Sequence, residues 1–144
     1  MPNMTGRADF YVLPAGEDRN HFACRLVEKA YKLGNRVWLR LDETAVAGMD
    51  EQLWHFKPES FVPHAVYPPG TAGANLDAVW LLSALPADQT CDLLINLART
   101  PLEPPGNAGR VAELVNQDTE ILTLTRQQYA RYKALNWTIN THKL

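Results

Sequence analysis

Residues 8–13 alternate and are rich in β-formers, and Pro14, Ala15 and Gly16 follow them as a turn. Over residues 17–33 the period changes: Phe22, Leu26, Ala30 and Leu33 recur at helical spacing beside Cys24, Val27 and Tyr31. Glu17 and Asp18 place acids in the first turn, and Gly34-Asn35 is a stop signal. The run R-V-W-L-R-L over residues 36–41 then reads as a second strand. A strand, a helix and a strand in that order cannot close as a hairpin and imply a crossover connection, hence a largely parallel sheet. No other feature restricts the fold as strongly.

The remainder is compatible with that opening. Residues 42–54 read as a shorter helix, residues 67–75 (Y-P-P-G-T-A-G-A-N) as loop, and residues 78–83 (A-V-W-L-L-S) and 93–98 (L-L-I-N-L-A) as two interior strands. Residues 100–109 carry three prolines and two glycines and precede a short strand over 111–115. A last long helix is predicted over 119–135, capped by Asp118 or Thr119. The expected class is α/β, a twisted, mostly parallel sheet with helices on both faces and a Rossmann-like topology, in one domain spanning residues 1–144.

With 46% apolar residues, 21% charged residues and a formal charge of −2, the composition is that of a soluble globular protein without bulk attraction to nucleic acid or anionic membrane. No apolar run approaches the roughly 18 residues of a membrane span, and the N-terminal residues lack a signal-peptide core, so a cytoplasmic location is expected. The two cysteines, Cys24 and Cys91, fall on periodic elements and are expected to be reduced core residues. Charge is uneven along the chain: residues 1–118 hold ten Lys and Arg against fifteen Asp and Glu, and residues 119–144 hold four basic groups against Glu120 alone. A basic patch of that size suits an acidic peptide or a few phosphates, not a DNA duplex.

Motifs for catalysis are sparse. The turn after the first strand has neither G-x-G-x-x-G nor G-x-x-x-x-G-K-[ST], and the G-T-A-G at residues 70–73 has no following lysine. Without those glycines Asp42 and Glu43 read as helix-start acids, not as ribose ligands. His55 and His64 flank Glu59 but have no nearby cysteine to complete a zinc site, and Ser60 and His64 lie outside any G-x-S-x-G setting. No cofactor, metal or catalytic residue is predicted.

Two segments carry docking character instead. Residues 54–64 (W-H-F-K-P-E-S-F-V-P-H) set Trp54, Phe56 and Phe61 beside two prolines and read as a stiff surface loop holding aromatic anchors, with a lid over the chain's own core as the plainer alternative. On the final helix, Ile121, Leu124, Gln128, Tyr132 and Leu135 share a core-facing side, and Leu122, Arg126, Tyr129 and Lys133 form an adjacent stripe. Two cations around an aromatic and an aliphatic residue suit an acidic peptide ending in apolar side chains, and a solvated helix face is the plainer alternative.

At these residues the chain resembles the chi subunit family of bacterial DNA polymerase III. The likeness rests on the opening F-Y-V-L, on L-W-H-F-K-P-E-S-F-V-P-H at residues 53–64, on the strand L-L-I-N-L, and on the closing R-Q-Q-Y-A-R-Y-K-A-L-N-W-T-I-N-T at residues 126–141. The resemblance implies a non-catalytic adaptor that binds the psi subunit as a heterodimer, reaches the clamp loader through psi, and binds the acidic, Pro-Phe-ending C-terminal tail of the single-stranded-DNA-binding protein (SSB). It assigns Trp54, Phe61, Val62, Pro63 and His64 to psi, and Arg126, Tyr129 and Lys133 to the SSB tail with Val115 as a wall. Some relatives also engage a repair helicase through the psi-facing surface, a partner these residues neither support nor exclude. Family members can carry further cations where this chain has Leu122 and Ala130, so its contacts with an acidic tail are expected to be fewer or supplied by Arg131. The alternative from another class is a nucleotide-binding α/β enzyme, against which the missing phosphate motifs count.

Overall fold

A computed structural model describes residues 6–56, 62–67 and 78–144. Strands β1 (Arg7–Val12), β2 (Val37–Arg40), β3 (His64–Val66), β4 (Val79–Leu82), β5 (Cys91–Asn96), β6 (Ala108–Val115) and β7 (Thr138–Lys143) form one sheet in the order β3-β4-β2-β5-β6-β1-β7. Every pairing is parallel. The helices are α1 (Arg19–Lys32), α2 (Val46–His55), entered through a 3₁₀ turn at Glu43–Ala45, and α3 (Thr119–Ala134).

Alternation along each strand sends side chains to two separate cores. Leu39, Leu81, Leu93, Ile95, Ala112 and Leu114 pack with Phe22, Val27 and Ala30 of α1 and with Met49 and Leu53 of α2. Phe10, Trp38, Trp80, Leu94, Val111 and Val115 face the other way, where Tyr132 of α3 and Trp137 close over them. The sheet is thus covered on both faces, as the βαβ opening requires. On the α3 side Tyr67 stacks on Trp80 with ring centroids 4.7 Å apart. Cys24 and Cys91 are buried and free, and burial pushes their thiols up to about 11 and about 12, so neither is a reactive thiolate.

Helix ends follow local chemistry. Asp18 caps α1 by accepting from Asn20 N at 3.1 Å, which leaves the first turn without the acids expected there, because Glu17 precedes the helix and Asp18 is its cap. Gly34, at φ 85°, ends α1 by donating to Tyr31 O while Asn35 donates to Ala30 O. Asp118 caps α3, accepting from Glu120 N and Ile121 N. The α3 terminus repeats the closure of α1 with Asn136, at φ 60°, in the glycine position.

Residues 54–64 do not form the single irregular loop expected. Met49 and Leu53, one turn apart, bury one side of α2 against the sheet, and this carries the helix through Trp54 to His55. At the other end His64 opens β3, because β4 offers an unpaired edge on which His64 registers with Val79. Residues 57–61, Phe61 among them, lie outside the described residues, as does G-T-A-G at 70–73. Strand β7 was not expected at all. It pairs with β1 from Arg7↔Thr138 to Val12↔Lys143 and makes the second edge of the sheet. Strand β6 begins three residues before the expected 111, where Gly109 lets the backbone approach Asp92 of β5: a Cβ on it would lie 2.8 Å from Asp92 O.

Candidate protein-docking surfaces

On α3, Arg126, Tyr129 and Lys133 fall at i, i+3 and i+7 and share one side of the helix. Both cations are exposed, and Tyr129 is 43% exposed with its ring tilted on Phe10 at 5.7 Å between centroids. Leu122, half-buried, packs on the α3-side core, to which Val115 belongs. Val115 is buried in the α3-side core. Arg131 is half-buried and lies about 140° round the helix from Arg126, away from the stripe. Leu135, expected on the core side, caps α3 and is 52% exposed, because the helix ends there and the chain turns away through Asn136.

The roll of α3 is set from below by polar contacts that the sequence pattern does not display. Gln128, buried, clamps residue 102 of the β5–β6 connection: Leu102 N donates to its Oε1 at 3.0 Å and its Nε2 donates to Leu102 O at 2.9 Å. The Tyr132 hydroxyl donates to Glu113 Oε2 at 2.6 Å, and Asn96 Nδ2 donates to both Glu113 oxygens. Arg40 continues the network, donating to Asn96 Oδ1 and to Thr100 and Pro101. Burial pushes the Glu113 carboxyl up to about 6 despite the opposing pull of Tyr132, Asn96, Arg19 and Arg40. Burial beside Glu113 also raises the Tyr132 phenol far above its ordinary value. With Gln128 and Tyr132 held inward, the neighbouring stripe must face outward.

The acids at the head of α3 are engaged elsewhere. Arg99, after β5, pairs with both Asp118 and Glu120. Arg126 and Lys133 have no ion pair among the described residues. The stripe is therefore locally cationic around an aromatic centre.

The second surface is at the β3 edge. Trp54, the ninth residue of α2, is 53% exposed, and its ring lies 5.1 Å from that of His64. His64 is buried with Nδ1 2.7 Å from Val62 O and Nε2 3.2 Å from Asp50 Oδ1. Val62 is buried in the α1-side core and Pro63 is half-buried, so of these residues Trp54 is the one presented outward while Val62 and His64 support the turn from within. Val66, 42% exposed, extends the apolar surface into a shallow groove of about 540 Å³ that also includes Val46, Ala47 and Tyr67. The sequence reading missed Val66 and Val46. Their signal, isolated apolar residues beside an edge strand, becomes legible only once β3 is known to be an edge.

A family model described as DNA polymerase III chi subunit, HolC, matches residues 4–140. The chain belongs to that family. It is 37% identical to the DNA polymerase III subunit chi of Pseudomonas aeruginosa, with 96% of each chain covered. It is 26% identical to the protein of the same name from Haemophilus influenzae, over 98% of this chain and 99% of the relative. The Escherichia coli subunit chi is 27% identical, over 82% of this chain and 80% of its own length. Membership of the chi family makes the protein an accessory subunit of a DNA polymerase, acting in DNA replication.

A nucleotide on a parallel sheet of this kind would sit in the crevice outside the carboxyl ends of the strands. In this chi-family chain that crevice, about 250 Å³, is lined by Asp18, Arg19, Asn20, Asp42, Arg99 and Asn116 among others. Its polar groups largely serve the fold: Arg19 Nε donates to Leu114 O, Asp42 accepts from Arg99 N, and the Arg99 guanidinium is taken by Asp118 and Glu120. The turn into it contributes the single glycine Gly16, which cannot build the backbone cradle that a pyrophosphate requires. Among the described residues no cluster of three His, Cys, Asp or Glu could hold a metal ion, and no helix is long and apolar enough to cross a membrane.

Proposed function

We propose that this chi-family protein is a non-catalytic adaptor with two docking surfaces. The Trp54 surface at the β3 edge binds the psi subunit and through it the clamp loader, and the α3 stripe binds the acidic C-terminal tail of SSB. The observation that carries this reading is the stripe itself: Tyr129, half exposed over Phe10, stands between Arg126 and Lys133 while the nearest acids are drawn off by Arg99. An acidic peptide ending in an apolar side chain matches it, carboxylates to the cations and terminal ring to Tyr129. Exposed charges are screened over about 8 Å at physiological salt, so such binding weakens as salt rises.

Calorimetry with a peptide ending in Asp-Asp-Ile-Pro-Phe tests the tail site. Binding is expected to fall with salt, to be largely lost when the terminal Phe is removed, and to lose part of its salt dependence in Arg126→Ala. A peptide that binds equally well without its Phe places the site elsewhere. For psi, Trp54→Ala is expected to weaken the heterodimer by about 2 kcal/mol or more without lowering the melting temperature of the isolated protein, since a half-exposed aromatic gives more to an interface than to its own core. Unaltered affinity for psi in that variant sinks the assignment.

A further inference from the structure

The stripe on α3 shows two cations, yet strand β7 brings a third to the same ground. In β1, Val12 registers with Val115 of β6 on one side and with Lys143 of β7 on the other, so the three residues form one row across the sheet. Which face Lys143 takes is settled by its neighbours. Ile139 packs on the α3-side core. His142 goes to the opposite face, where its ring stacks on Tyr11 at 4.8 Å and its Nε2 lies 3.3 Å from Asp9 Oδ1. Leu144 also lines a groove on that opposite face, together with Tyr11, Phe22 and Leu26 of the α1 side. Successive strand residues alternate, so Lys143, between His142 and Leu144, projects on the α3 side. Val115 of the same row belongs to the α3-side core, against which Val12 and Leu122 also pack.

We infer that Lys143 is a specificity-determining cation of the α3 site, at the β7 end of an apolar floor made by Val12 and Val115, and that it reads a carboxylate of the acidic peptide. The inference rests on the proposed tail-binding reading and deepens it. Two strand spacings of roughly 4.8 Å separate Lys143 from Val115, within reach of a peptide whose apolar end lies on that floor. Lys143 is exposed and has no ion pair among the described residues, so its charge is available. A cation on β7 also makes up for Leu122 and Ala130, which place none on the helix. Arg131, on the wrong side of α3 and half-buried, is not the substitute.

Calorimetry of the peptide ending in Asp-Asp-Ile-Pro-Phe, and of a control with both aspartates replaced by asparagine, would be run on the parent, Lys143→Ala, Lys143→Glu, Arg126→Ala and Arg131→Ala. At low salt Lys143→Glu is expected to weaken the acidic peptide about ten-fold or more and Lys143→Ala several-fold, both with a shallower salt dependence. For the asparagine control these differences should shrink to less than two-fold, and Arg131→Ala should leave both peptides within two-fold of the parent. If Lys143→Glu binds like the parent while Arg126→Ala is impaired, the inference is overturned and the docking reading stands. If the parent itself binds neither peptide, the docking reading falls first.

Discussion

Glu113 shows how a single side chain depends on its surroundings. In V-A-E-L-V it is the one polar residue, and it shares a face of β6 with Val111 and Val115, the face that α3 covers. Its carboxyl is buried under Tyr132 and Asn96 and is pushed up from 4.5 to about 6. The sign of the consequence follows from proton counting: between pH 4.5 and 6 the folded protein keeps a proton that the unfolded chain has released. Stability is therefore expected to rise by about 2 kcal/mol as pH falls through that window, and to fall again as pH rises to 6. Asp9 works in a separate range. Burial pushes its carboxyl up, but His142, Arg7 and Arg110 outweigh burial and hold it below 3.8, so its contribution is present above 3.8 and lost only in stronger acid. Urea unfolding of Glu113→Gln at a series of pH values should slope less between 4.5 and 6 than that of the parent. Parallel curves for the two proteins would show that Glu113 is not the titrating group.

Helix α3 is the element that carries the proposed docking stripe, and its bounds were largely legible: Asp118 as cap and the apolar spacing from Ile121 to Tyr132 are sequence signals. The side it turns to the core was legible too, since Ile121, Gln128 and Tyr132 are buried as expected, but the partners that hold Gln128 and Tyr132 there were not. Gln128 is polar yet buried, because Leu102 of the β5–β6 connection presents both an N–H and a C=O to it. Gln128→Leu leaves both backbone groups unpaired in the interior, and a loss of about 3 kcal/mol is expected from two such groups at roughly 1–3 kcal/mol each. Chemical denaturation measures it. A cost below about 1 kcal/mol would mean that the β5–β6 connection re-pairs with water and that α3 is held by its apolar contacts alone. The two edge strands escaped the sequence reading for a related reason. Strand β3 has three residues, too few for a period, and β7 (T-I-N-T-H-K) carries mostly polar side chains, since an edge strand buries little.

At the scale of the whole molecule the strand order separates the two proposed docking surfaces. Trp54 lies beside β3 at one edge, and α3 lies over β6 and β7 at the other. Six strand spacings of about 4.8 Å put these edges roughly 29 Å apart. Partners at both edges therefore do not compete for area, and rigid packing between them gives no reason for strong coupling. The acidic peptide is expected to bind the complex with psi within about two-fold of its affinity for the free protein, as read by calorimetry. Competition between psi and the peptide would place the two sites on one surface and contradict the adaptor geometry.

Much of this protein followed from its sequence alone. The change of period from strand to helix to strand in the first 41 residues determines a parallel sheet, because such a connection can be closed only by a crossover. The capping acid of α3 and its i, i+3, i+7 stripe are likewise local, set within a few turns of one helix. Residues 54–64 were singled out for their composition, but whether each aromatic lies outward depended on where α2 stopped and on β4 offering an edge to His64. The tertiary structure alone decided that Glu113 is buried, that Gln128 clamps Leu102, and that Lys143 shares a row with Val12 and Val115. Those outcomes depend on which strands become neighbours, and strand order in a parallel sheet is a long-range packing choice that periodicity along the chain does not encode.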